Sequence, residues 1–162
     1  VEHLKNNLKL RRKINMMANG LKILCIKAHK DAIIPVYEHE DDAACSLRVI
    51  EDYIIKPGKR ILARTGLKIA IPKGFEAQVR PRSGNAWKKG LTVLNTPGTI
   101  DSQYRGEVMV ILINLGDEDI IIQKGDAVAQ MKFSPVYTGY FMETDNLNST
   151  QRGIGGMGST GR

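Results

Sequence analysis

From Leu21 to about Met142 the apolar residues fall in short runs, separated at intervals of about ten residues by Gly, Pro, Asp or Lys. That rhythm is the pattern of a sandwich or barrel of short strands. It predicts strands over 21–26, 53–55, 59–62, 67–71, 76–80, 92–94, 107–114, 119–122 and 127–133. Turns are expected at Lys56-Pro57-Gly58, Pro72-Lys73-Gly74, Gly116-Asp117-Glu118 and Gln123-Lys124-Gly125-Asp126. β-Branched residues dominate the runs, and Gly or Pro interrupts anything long enough for a helix. One short helix is predicted from Ser83, a cap-like serine, through Lys88 and Lys89 to the breaker Gly90. No internal repeat is visible. After Met142 the chain turns polar, and residues 143–162 read as a linker followed by a glycine-rich arm.

Composition narrows the class. The chain has 162 residues, enough for one domain with one core. The expectation is an all-β, single-domain fold, a distorted jelly roll or β-sandwich over 19–142. No apolar run approaches a membrane span of about 18 residues, and no secretion pattern is visible. Cys25 and Cys45 then read as reduced thiols of a cytoplasmic protein. The formal charge is +7, but the first 30 residues carry eight Lys or Arg and one acid, the whole of that excess. Residues 1–18 therefore read as a basic, poorly ordered N-terminal extension on a neutral body. With no interleaved aromatic platform, this does not point to a nucleic-acid binder.

Three stretches carry chemistry. The C-terminal Arg152-Gly-Ile-Gly-Gly-Met157-Gly158-Ser159-Thr160-Gly-Arg162 has the G-x-x-x-x-G spacing of a phosphate loop but lacks the following Lys and helix. Its glycines would still let backbone amides, two hydroxyls and a guanidinium converge on a polyanion. Pro97-Gly98-Thr99-Ile100-Asp101-Ser102-Gln103-Tyr104-Arg105-Gly106-Glu107 lies between two predicted strands. An ordinary hairpin with Asp101 in an Asx-turn accounts for it; so does a site where Asp101 is a general base and Tyr104 a flat wall for a sugar or base. Arg80-Pro81-Arg82-Ser83-Gly84 reads either as a capped turn with solvated arginines or as an anion site. Gln130 is a lone amide in an apolar run. The three histidines show no metal-ligand spacing.

Together these segments resemble the trimeric deoxyuridine triphosphatase (dUTP diphosphatase) family over residues 42–162. R-S-G, N-x-x-G-x-I-D-x-x-Y-R-G, G-D-x-x-A-Q and R-G-x-G-G-x-G-S-T-G occur in the family's order. The resemblance implies a homotrimer with shared active sites that converts dUTP to dUMP and diphosphate with Mg²⁺. Such an enzyme limits uracil in DNA and supplies dUMP for thymidylate synthesis. On it, Asp101 activates the attacking water and Gln130 helps bind water or the α-phosphate. Arg82, Ser83 and Gly84 hold phosphates. The stretch Asn95 to Asp101, including Gly98, Thr99 and Ile100, reads uracil, with Tyr104 under the deoxyribose and Met109 nearby. Arg152, Met157, Gly158, Ser159 and Thr160 form a lid.

The resemblance also marks two departures. Met157 stands where the family carries Phe, which softens stacking on the base. Ser46 stands where the family carries an Asp that assists the metal through water, so Mg²⁺ is expected to rest mainly on substrate phosphates and water. Two other readings follow: a relative that deaminates dCTP, and a nucleotide-binding protein without turnover.

Overall fold

The computed structural model describes residues 20–157; the predicted basic extension over 1–18 and residues 158–162 lie outside the described residues. The strands are β1 (Leu24–Lys27), β2 (Cys45–Arg48), β3 (Tyr53–Ile55), β4 (Arg60–Ala70), β5 (Phe75–Pro81), β6 (Leu91–Val93), β7 (Gly98–Ile100), β8 (Glu107–Asn114), β9 (Ile120–Ile122) and β10 (Ala127–Pro135). Helix α1 (Ser83–Lys89) follows β5. One four-stranded sheet has the order β1-β4-β8-β6, the other β2-β10-β5-β7, and β3-β9 is a separate ribbon. Every pairing is antiparallel. This is the expected all-β, jelly-roll fold with one short helix.

Alternation builds the core. On β8, Val108, Val110, Leu112 and Asn114 are buried while Met109 is exposed, and on β5 Ala77 and Val79 point inward between Glu76, Gln78 and Arg80. A period of two puts one row of each strand against the opposite sheet. Leu47, Ile55, Leu67 and Leu112 are among the fully buried side chains, each contributing about 1.5–3 kcal/mol through removal from water.

The predicted strands over 59–62 and 67–71 are one strand, β4. The gap between them, which holds Thr65 and Gly66, is an irregularity inside β4, where the β4–β8 register shifts between Arg64 and Lys68. Gly66 adopts φ +67°, and a Cβ there would lie 2.8 Å from Cβ of His29. The fully buried Thr65 donates its hydroxyl to Val108 O at 2.5 Å and accepts from Leu67 N at 3.2 Å. The irregularity therefore leaves no orphaned polar group on Thr65. Sequence reading did not predict β2 or β7.

Helix α1 runs over the expected residues and ends at Gly90 with φ 68°, but Ser83 is its first helical residue rather than its cap. Arg82 holds the cap position with no side-chain cap bond. Gly90 lies so close to Gly116 that a Cβ would meet the Gly116 nitrogen at 2.5 Å. Leu115 N donates to Gly90 O at 2.9 Å across the same contact, which joins the helix end to the end of β8.

Candidate active site

The first half of the site is the hairpin between β6 and β8. β7 pairs with β5 so that Gly98 faces Val79, Thr99 faces Gln78 and Ile100 faces Ala77. Before it, Asn95 folds back over the strand; a Cβ on Gly98 would lie 3.1 Å from the Asn95 amide nitrogen, so glycine makes that approach possible. Asn95, Gly98, Thr99, Ile100, Asp101, Tyr104 and Met109 line one cavity of about 230 Å³ with the edges of β6 and β8. That is smaller than the roughly 300–1,000 Å³ of drug-sized pockets, enough for a base and sugar but not for a whole nucleoside triphosphate. All seven hairpin residues singled out from sequence are thus brought together.

The Tyr104 ring is pinned. Its hydroxyl donates to Glu107 O at 2.9 Å, and a Cβ on Gly106 would collide with the Tyr104 hydroxyl oxygen. Tyr104 N donates to Asp101 O at 3.1 Å, which closes the turn. The Asp101 carboxylate is exposed at the cavity edge and has no hydrogen-bond or ion-pair partner among the described residues. Such a group is free to hold a water.

Glu107, which sequence reasoning gave no role, also lines the cavity. Its carboxylate accepts from Arg64 Nε at 3.3 Å, Arg64 Nη2 at 3.0 Å and Gly66 N at 2.8 Å. Burial pushes this carboxyl upward, but the Arg64 and Gly66 hydrogen bonds and the Arg64 charge outweigh it, so it sits below the ordinary glutamate range. The available signal was a lone acid opening an apolar strand.

The second half lies across β2, β10 and β5. In register, Ser46 faces Gln130, and Gln130 faces Arg80 on its other side. The β2 end is tied to the turn before β10: Gly125 N donates to Val49 O at 2.8 Å, and Arg48 Nη1 donates to Gly125 O at 2.9 Å. Gln130 Nε2 donates to Pro81 O at 2.8 Å, so half of the predicted catalytic amide is already engaged. Arg82 Nη1 donates to Ser46 Oγ at 2.5 Å. Asn85 Nδ2 donates to Ala127 O at 3.2 Å, which holds the start of α1, with Ser83 and Gly84, over the same edge.

The two halves do not meet within one chain. Ile100 is level with Ala77, so Asp101 is level with Glu76, six residues along β5 from Arg82. At about 3.3 Å per residue that is roughly 20 Å. Gln130 sits level with Arg80 on the opposite side of β5, about 13 Å along and about 10 Å across from Asp101.

Among the described residues, none of the arm lines the cavity. Arg152 Nε donates to Gly155 O at 2.9 Å within its own turn, and Met157 is fully exposed at φ 47°. Tyr137, Tyr140, Phe141, Met142 and Leu147 are exposed on the stretch leading to it. Gly158, Ser159 and Thr160 lie outside the described residues.

For a metal, the described residues contain no group of three or more His, Cys, Asp or Glu able to hold an ion. Ser46 Oγ is turned on Arg82, and Asp42 caps a local turn by accepting from His39 N at 2.8 Å. These donors do not fit a protein-held Mg²⁺. Burial pushes the Cys45 thiol up to about 11, so it stays protonated and inert, and Cys25 is likewise raised.

A dUTPase family model matches residues 30–161. The deoxyuridine 5'-triphosphate nucleotidohydrolase of Hydrogenobaculum sp. is 49% identical over 87% of this chain and 99% of its own length. That of Clostridium novyi is 50% identical over the same shares. Among solved structures, a Gly-to-Ser mutant dUTPase of Staphylococcus bacteriophage 80alpha, with dUpNHpp, superposes with a TM-score of 0.79 at 22% identity, over 87% of this chain and 99% of that one. An Asp-to-Asn mutant dUTPase of phage phi11 of S. aureus, described with a structural Mg(II) ion, has a TM-score of 0.72 at 19% identity, over 77% and 97%.

Proposed function

The chain belongs to the dUTPase family and hydrolyses dUTP to dUMP and diphosphate, and we propose that it does so at a site shared between copies, with Asp101 as the base. The single observation behind this reading is the 230 Å³ cavity with the unpartnered Asp101 carboxylate on its rim. In the cavity, Asn95 and the Gly98–Ile100 backbone face the uracil edge, Tyr104 lies against the deoxyribose, and Met109 closes the side. Asp101 takes a proton from a water whose oxygen attacks the α-phosphorus. The new P–O bond forms as the bond to the α–β bridging oxygen breaks, and the electron pair leaves with diphosphate.

The phosphates need cations and donors, and no Lys or Arg among the described residues lines the cavity. Arg82, Ser83, Gly84 and the second N–H of the Gln130 amide supply them, with Arg82 about 20 Å along β5 from Asp101. A second copy must therefore bring its β5–α1 corner to the first copy's hairpin. A homotrimer with closed symmetry satisfies this for all copies. The arm over 143–162, with Arg152, Met157, Gly158, Ser159 and Thr160, closes over the phosphates as a lid. Mg²⁺ then arrives on the nucleotide's own phosphates rather than in a protein cage. The free thiols Cys25 and Cys45 suit a cytoplasmic setting. Among the described residues no helix is long and apolar enough to cross a membrane.

Diphosphate release from dUTP, with dCTP, dTTP and UTP as controls, tests the reading. Asp101→Asn should lower kcat by about 10²–10⁴ with KM little changed, since the shape stays and the base goes. Full activity in that variant would falsify the role given to Asp101. Release of ammonia from dCTP would favour the deaminase alternative.

A further inference from the structure

We infer that Ser46 is a positioning residue that orients Arg82 toward the triphosphate without neutralising it; this rests on reading Arg82 as a phosphate ligand. Arg82 is the last extended residue before α1, and its guanidinium would be free to swing. Ser46, 36 positions away in sequence, reaches it from β2. That contact is the only hydrogen bond of the Arg82 side chain among the described residues, and no carboxylate pairs with it.

The contrast is Arg64, which is held by Glu51 at 3.0 Å and Glu107 at 3.0 Å. That arginine is consumed in holding β4 to β8. At the site edge the partners are neutral instead. Arg80 donates to Gln78 Oε1, and Arg82 donates to Ser46 Oγ. A hydroxyl that accepts through a lone pair keeps its own O–H free to donate, so the Ser46–Arg82 pair offers donors and a full positive charge. A carboxylate at position 46 would fix the same geometry but cancel the charge. Ser46 thus leaves the whole Arg82 charge available to the phosphate chain.

The test is calorimetric titration of a non-hydrolysable imido analogue of dUTP into the full-length protein in chelator, repeated with deoxyuridine, which has no phosphate. Ser46→Ala should weaken analogue binding about tenfold or more, as expected for losing one hydrogen bond to a charged group. Ser46→Thr, which keeps the hydroxyl, should recover it. Ser46→Asp should bind worse than Ser46→Ala, because it pairs off the cation. Deoxyuridine affinity should stay constant throughout. Ser46→Asp matching the unmodified protein in chelator would overturn the proposal, as would an unchanged Ser46→Ala or a parallel loss of deoxyuridine binding. Arg82→Ala separates the two levels. If it binds the analogue normally, Arg82 is no phosphate ligand and the site reading itself falls; if it weakens while Ser46→Ala does not, only the inference about Ser46 falls.

Discussion

Two singly defective chains, Asp101→Asn and Arg82→Ala, offer a quantitative check on the shared site. The register of β5 sets Asp101 and Arg82 about 20 Å apart in one chain, so on the proposed reading each site takes its hairpin from one copy and its phosphate corner from another. Asp101→Asn chains lose the base and retain about 1% of activity or less. Arg82→Ala chains lose a charge-assisted contact, which lowers kcat/KM by about tenfold or more. A simple mixture of the two variant proteins should therefore show at most about 5% of the activity of the unmodified protein. After joint refolding at equal amounts, each site has an even chance of an intact hairpin and an even chance of an intact corner. One site in about four is then whole, and activity should rise to about a quarter. The assay is diphosphate release at dUTP well below KM, before and after co-refolding, with tagged chains to verify mixing. Verified mixed trimers that show no gain would refute the reasoning, because both residues would then act within one chain.

Other outcomes follow from the same contacts. Ending the chain after Gln151 should lower kcat by about tenfold or more while leaving the thermal transition in place, as expected for losing a lid and not core; an undiminished kcat would rule the arm out as a lid. Asn114→Ala should cost about 3 kcal/mol in urea unfolding, because the buried amide donates to Ile55 O and Glu118 O and accepts from Gly116 N, and a cost below about 1 kcal/mol would contradict that. Glu107 has a depressed folded pKa, so its stabilisation is present above the ordinary value of 4.5 and disappears as pH falls through the lower folded value. The melting temperature should therefore fall more steeply below about pH 5 than in Glu107→Gln, and parallel curves would remove this ion pair from the account of acid stability.

Local chemistry was legible before the fold. The pairs Pro57-Gly58 and Lys124-Gly125 mark turns because their preferred backbone angles do, and Gly90 ends α1 at φ 68° for the same reason. The hairpin residues also came together as expected, since Asn95 to Met109 are close in sequence and a tight turn leaves them no choice. What failed depended on distant partners. Gly66 reads as a strand break until its fit against His29 and Ala32 shows that it lets β4 continue past an irregularity. β2 is four residues long and becomes a strand only because β10 lies beside it. The Ser46–Arg82 contact and the separation of Arg82 from Asp101 are both matters of register across strands far apart in sequence, and no local pattern encodes register.

The exposed run from Tyr137 to Leu147 has a consequence for how this protein must be handled. A lone chain presents Tyr137, Tyr140, Phe141, Met142 and Leu147 to water, a burden that association would relieve. If copies cover that run, dissociation on dilution uncovers it, and specific activity becomes a function of concentration by mass action. Stocks kept concentrated should then hold their turnover, while dilute ones lose it to adsorption and clumping before any unfolding begins.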